Sequence, residues 1–173
     1  MKFVEWEKQE MTRGAAIRKV DEILKKDFKY LYKRRLVNIH TLHLTFQMDS
    51  KSHELQMTFD FQEKWCDILG FISPTILTPG TESYWQALQS VNYINWNIKS
   101  WGRYYIDTYG DLAYSLRLNY DVLENMPYEC SKEIEYAVEY YVDLFIPLLK
   151  VCQGKESFDG TKQFIDEMWG NIV

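Results

Sequence analysis

Hydrophobic residues recur along this chain at two spacings, and the switches between them mark out its elements. Over residues 11–33, Ile17, Val20, Ile23, Leu24, Phe28 and Leu31 recur every three or four positions. That spacing predicts an amphipathic helix with arginine and lysine on the opposite face. Thr12 stands where an N-cap hydroxyl belongs. In 39–48 the period drops to two: His40, Leu42, Leu44, Phe46 and Met48 alternate with polar residues. In 53–61 Leu55, Met57, Phe59 and Phe61 do the same. Alternation of this kind belongs to a sheet with one wet face. Asp49-Ser50-Lys51-Ser52 between the two runs is turn chemistry and predicts a hairpin. Trp65–Ile72 reads as a third strand, ended by Ser73-Pro74.

Residues 78–97 read as a second helix. Thr78-Pro79 serves as its start, Ser83 with Gln86 is a candidate capping box, and Trp85, Leu88, Val91 and Ile94 line one face. Two more strands, Trp101–Asp107 and Asp111–Tyr120, flank Thr108-Tyr109-Gly110, a loop with the glycine that a tight turn favours. Residues 130–152 form a third long helix, with Pro147 expected to kink it and Gly154 to end it. A short helix over 160–169 closes the chain. The order is α-β-β-β-α-β-β-α with a short helix added. It predicts an α+β fold, a single domain over 1–173, with a five-stranded antiparallel sheet packed against helices.

Composition changes this picture little. The 173 residues are 46% hydrophobic and 26% charged, which is globular composition. Aromatics are abundant, at 16%, and Tyr104, Tyr105, Tyr109, Tyr140, Trp96 and Trp101 exceed what one small core requires. Some of these rings should lie on the surface, where an aromatic patch marks a partner site.

Charge changes it more. The net charge is −5, yet residues 1–37 hold 11 Lys/Arg against 6 Asp/Glu, leaving the rest acidic. An acidic body argues against nucleic acid as a partner. The basic run Lys33-Arg34-Arg35 reads as the solvated face of the first helix. The three cysteines, Cys66, Cys130 and Cys152, are widely spaced and outside any zinc pattern, so they read as thiols in a reducing compartment. With no apolar leader and no run long enough to span a bilayer, the expected location is cytoplasmic, without a membrane partner.

Over residues 84–154 the chain resembles the YbjN-type family of bacterial proteins, described as regulators of sensory transduction. The likeness lies in Val91-Asn92-Tyr93-Ile94-Asn95, then Gly102-Arg103-Tyr104-Tyr105 with Asp107, then Gly110-Asp111-Leu112-Ala113-Tyr114. Asp143, Pro147 and Gly154 complete it. The resemblance implies a fold like that of type III secretion chaperones. It also implies a binding domain often paired as a dimer, with no catalytic residues.

Candidate chemistry is sparse. No phosphate-binding glycine loop and no HExxH, EF-hand or GxSxG pattern occurs, and no cofactor is expected. His40 and His43 invite a metal reading, but three apart on a strand they point to opposite faces, and only His53 could join them. Asp107 and Asp111 could do acid–base work, although aspartate beside a hairpin is ordinary turn chemistry. Asn92 and Asn95 share a helix face. They could contact a ligand, or they could tie the helix to the following strand.

The expected function is therefore a non-enzymatic protein-binding module, chaperone-like or a regulatory adaptor, that binds another protein or itself as a homodimer. Its candidate contacts are Asn92, Asn95, Trp96, Trp101, Arg103, Tyr105 and Tyr109. The alternative is a small-ligand sensor or enzyme with a pocket between helices and sheet, built on Asn92, Asn95 and Arg103.

Overall fold

The computed structural model describes residues 10–27, 32–47 and 54–170. Within them the chain runs α1 (Arg13–Asp27), β1 (Tyr32–Asn38), β2 (Thr41–Gln47), β3 (Glu54–Phe61), β4 (Trp65–Phe71) and α2 (Glu82–Asn97). It continues through β5 (Arg103–Ile106), β6 (Leu112–Asn119), α3 (Tyr120–Asn125), α4 (Pro127–Cys152) and α5 (Phe158–Trp169). The class is α+β, as the patterning predicts. The sheet, however, has six strands rather than five, all neighbours antiparallel, in the order β1-β2-β3-β4-β6-β5. No helix among the described residues is long and apolar enough to cross a membrane.

The extra strand corrects the reading of 11–33 as one helix. Among the described residues α1 ends at Asp27, and Lys33, Arg34 and Arg35 lie on β1. There they form an edge strand rather than a helix face. Phe28 and Leu31 lie outside the described residues. β1 hid from the pattern because it is an edge strand carrying three basic residues in a row, so its period of two is broken. It turns into β2 through Ile39-His40, with the Asn38 side chain accepting the His40 N–H at 2.7 Å. The Thr12 hydroxyl does cap α1, accepting from the Ala15 N–H at 3.3 Å.

Strand alternation decides where the core sits. Leu42, Leu44, Phe46, Leu55, Met57, Phe59, Phe61, Cys66, Ile68, Leu116 and Leu118 all turn to one side and are buried there under the helices. Their neighbours, among them Thr41, His43, Thr45, Thr58 and Asp67, face the other side and are half-exposed. At β4 this rule meets a glycine. A Cβ on Gly70 would lie 2.7 Å from the Tyr141 ring, so the absence of a side chain lets α4 approach the sheet. The Tyr141 hydroxyl then donates to the Phe71 carbonyl at 2.8 Å.

α2 starts later and turns differently from the expectation. Thr81, not Thr78, is the N-cap, and its hydroxyl accepts from the Tyr84 N–H at 3.3 Å. The Ser83–Gln86 box does not form: the Gln86 side chain bonds Glu82 and the Phe158 N–H. Ala87, Ser90, Val91 and Ile94 face inward, while Trp85 and Leu88 are exposed. Small Ala87 and Ser90 let α2 lie close to its neighbours, while Trp85 and Leu88 are left outside. Pro147 sits within α4, which continues to Cys152, and Gly154 (φ 67°) ends it with its N–H on the Val151 carbonyl. α3 and the start of α4 at Pro127 precede the helix expected from 130.

Candidate functional site

α2, α4 and α5 converge at the β5 end of the sheet, and the predicted site residues lie around that convergence. They do not form one site. The Asn95 amide is structural: its nitrogen donates to the Tyr104 carbonyl at 2.9 Å and its oxygen accepts the Tyr104 N–H at 2.9 Å. Because both backbone groups of Tyr104 go to Asn95, they point away from β6, and the outer edge of β5 is filled there. Arg103 donates to the Gly102 carbonyl at 2.6 Å and to the Ser100 carbonyl. Asn92 is exposed and lines a shallow depression with Asn95, Tyr93, Trp96 and Phe158. Asn92 and Asn95 thus share a depression, and Arg103 is not among the residues that line it.

The aromatic candidates fall on three surfaces. Tyr105 reaches the uncovered face of the sheet, where Ala113 separates it from Phe71 in one cross-strand row. Tyr109, 81% exposed, caps the β5–β6 loop, and Trp101 is half in solvent before β5. Asp107 is turn chemistry: its Oδ1 accepts the N–H groups of Tyr109 at 2.8 Å and Asp111 at 2.9 Å. Trp96, 87% exposed, belongs to the outer face of α2 with Trp85 and Leu88. Tyr104, by contrast, is core, edge-to-face with Tyr114 at 5.2 Å. Burial pushes the pKa of both these phenols well up.

A buried polar knot holds the loop before β5. Glu133 of α4 accepts from the Ser100 hydroxyl at 2.8 Å and the Trp101 N–H at 2.6 Å. The Tyr114 hydroxyl joins at 2.7 Å from Ser100 Oγ. These groups satisfy one another, as buried polar groups must.

A cleft of about 610 Å³ lies where the ends of α2 and α5 meet the middle of α4. Tyr136, Tyr140 and Trp169 are its aromatic walls, and Glu139, Asp143 and Lys99 bring charge to it. The Tyr140 and Trp169 rings stand at 81° with centroids 5.2 Å apart, and Tyr136 lies 6.1 Å from Tyr140. The Tyr140 hydroxyl accepts the Lys99 N–H at 3.1 Å. Asp143 makes no hydrogen bond or ion pair among the described residues, and crowding by neighbouring atoms raises its carboxyl pKa. Ser157 caps α5, and the Tyr93–Asp166 bond and Lys162, which lies over the Tyr93 ring at 5.1 Å, tie it to α2.

Tyr136, Glu139, Tyr140 and Asp143 stand three and four apart on α4, so helical spacing already put them on one face. That Trp169 closes the cleft was not visible, because it depends on how α5 docks.

The remaining candidates are dispersed. His40 lies against Arg13 at the β1–β2 turn, while His43 bonds Gln56 on the sheet; His53 is outside the described residues. Arg117 pairs with Asp67 at 2.7 Å. The three thiols are buried and free, and burial pushes those of Cys130 and Cys152 up to about 11. No family model, curated protein or solved structure matches this chain.

Proposed function

We propose that this chain is a protein-binding module without catalytic activity, chaperone-like or a regulatory adaptor, which pairs with a second copy through the outer face of α2. The observation that carries this reading is the character of that face. Trp85 is 53% exposed, Leu88 37% and Trp96 87%, and with Asn92 they form one stripe opposite the buried residues of α2. From Trp85 to Trp96 the stripe runs roughly 16 Å along the helix. Residues 83–98 contain no charged side chain.

Interface cores are rich in tryptophan and poor in charge. On a body of net charge −5, an uncharged face is where two copies meet with the least repulsion. A two-fold axis would set the stripe against itself. Addition of a partner strand to β5 is disfavoured, since Asn95 already occupies its outer groups at Tyr104. The resemblance to the YbjN-type family supports the same reading. We take the cytoplasm as the location, in keeping with three buried free thiols.

Light scattering coupled to size exclusion tests the pairing. The expected mass is twice 20.8 kDa. Replacing Trp85 and Trp96 with serine should give a monomer with unchanged far-ultraviolet circular dichroism. A wild-type chain that stays monomeric at high micromolar concentration overturns the pairing.

A further inference from the structure

We infer that the groove between α4 and α5 binds a basic segment of a partner protein, seating an arginine or lysine side chain against Asp143, Tyr140 and Trp169. This rests on the binding-module reading of the chain, but not on pairing through α2.

The cleft walls suit a cation. Two rings meet nearly at a right angle and a third stands beside them, so a charged group entering there meets aromatic surface on more than one side. Aromatic faces attract cations, most strongly where water is partly excluded. Asp143 supplies the counter-charge. It is the carboxylate of the cleft with no partner among the described residues, and it is exposed, so an arriving cation can reach it. Glu139 stands one turn away on the same face and lines the same cleft. Asp166 is already engaged by Lys162 and Tyr93, and Lys99 is the basic residue at the rim. Among the described residues no group of three or more His, Cys, Asp or Glu side chains could hold a metal ion.

The shape suits a segment rather than a small molecule. Asp143 also lines a second groove, of about 370 Å³, which continues toward the C-terminal end of α4. Its walls set apolar Ile146 and Pro147 on α4 and Phe164 on α5 beside the charged Lys150 and Glu156. From Tyr136 to Lys150 the two grooves follow α4 for roughly 21 Å. An extended segment of about six residues covers that length. Its cation would sit at Asp143 and its apolar side chains on Pro147 and Phe164.

The test uses a labelled hexapeptide with two arginines followed by two leucines, titrated into the full chain and followed by fluorescence anisotropy. Binding should weaken about 10-fold in Asp143→Asn and about 3- to 10-fold in Trp169→Leu. Glu124→Gln, which removes the same charge from α3, should leave it unchanged. Substituting citrulline for both arginines should abolish it. The Trp85/Trp96 serine variant should bind the peptide like the wild type, so loss of pairing and loss of the groove are told apart. Tyr136→Leu serves as a second wall variant if Trp169→Leu melts early. The inference is overturned by absence of binding, or by equal weakening in Glu124→Gln and Asp143→Asn. Tetramethylammonium displacing the peptide as effectively as unlabelled peptide also overturns it, since the site would then be one for small cations.

Discussion

At one end of the sheet, β1 holds Lys33 and Arg35 out in solvent. At the other, the outward N–H and C=O of β5 at Tyr104 are taken up by the Asn95 amide. Both arrangements keep a further strand from pairing with the edge, by different physics. At β1, strongly hydrated charges would have to be stripped of water or brought against another chain. At β5, the hydrogen-bonding groups are already satisfied from within. The first device needs no neighbouring element. The second needs α2 in place, the loop before β5 held by Glu133, and α4 close to the sheet. The β5 end should therefore be sensitive to single substitutions, and the β1 edge tolerant of them.

Glu133→Ala should have the largest effect. It leaves the Ser100 hydroxyl and the Trp101 N–H without their buried acceptor, and the expected loss is about 3 kcal/mol in urea denaturation. Glu133→Gln keeps an acceptor oxygen and should recover more than half of that loss. Gly70→Ala, near the middle of the sheet, forces a Cβ into the Tyr141 ring and should cost about 1–3 kcal/mol, since α4 must shift.

Asn95→Ala should cost about 1–2 kcal/mol for two lost hydrogen bonds at a partly exposed edge. Its sharper signature is faster hydrogen exchange at the Tyr104 amide. Asn95→Asp, which can accept but not donate, should keep that protection. Unchanged exchange in Asn95→Ala would show that something other than the amide closes β5.

Lys33→Thr with Arg35→Thr should change stability by no more than about 0.5 kcal/mol. It should nonetheless raise self-association, read as concentration-dependent light scattering. If the pair proves as destabilising as Asn95→Ala, the contrast between the edges fails.

The smallest effect concerns Asp143. Its folded-state pKa is raised, so the folded chain holds that proton more tightly than the unfolded one. Ionisation therefore weakens the fold above the carboxylate range. Asp143→Asn should raise the melting temperature at neutral pH. The gain should disappear as pH falls through that range.

Legibility differed in the same way across the molecule. β2 and β3 were plain, because each alternates strictly and buries one face. β1 was missed because a run of basic residues at an edge has no apolar period to detect. On α2, Trp85, Leu88, Val91 and Ile94 were read as one face, and of these Val91 and Ile94 are buried. Trp85 and Leu88 are outside because Ala87 and Ser90 are what permit close packing. Of the predicted contacts, Asn95 and Arg103 turned out to serve the backbone, whereas Trp96 and Tyr109 are as exposed as a binding residue should be. The cleft at Asp143 was half visible: its α4 wall follows from helical spacing, but its α5 wall does not.

The sequence by itself determined the local matters: which strand residues face the core, where Thr12 starts a helix and Gly154 ends one, and that the class is α+β. These follow from alternation, capping and turn conformations, which act between near neighbours in the chain. Tertiary structure alone decided that β6 inserts between β4 and β5, that β5 becomes an edge needing Asn95, and that Trp169 comes to stand beside Tyr140. Those outcomes depend on which surfaces, distant in sequence, fit together. A periodicity records only that a face is apolar, not what will cover it.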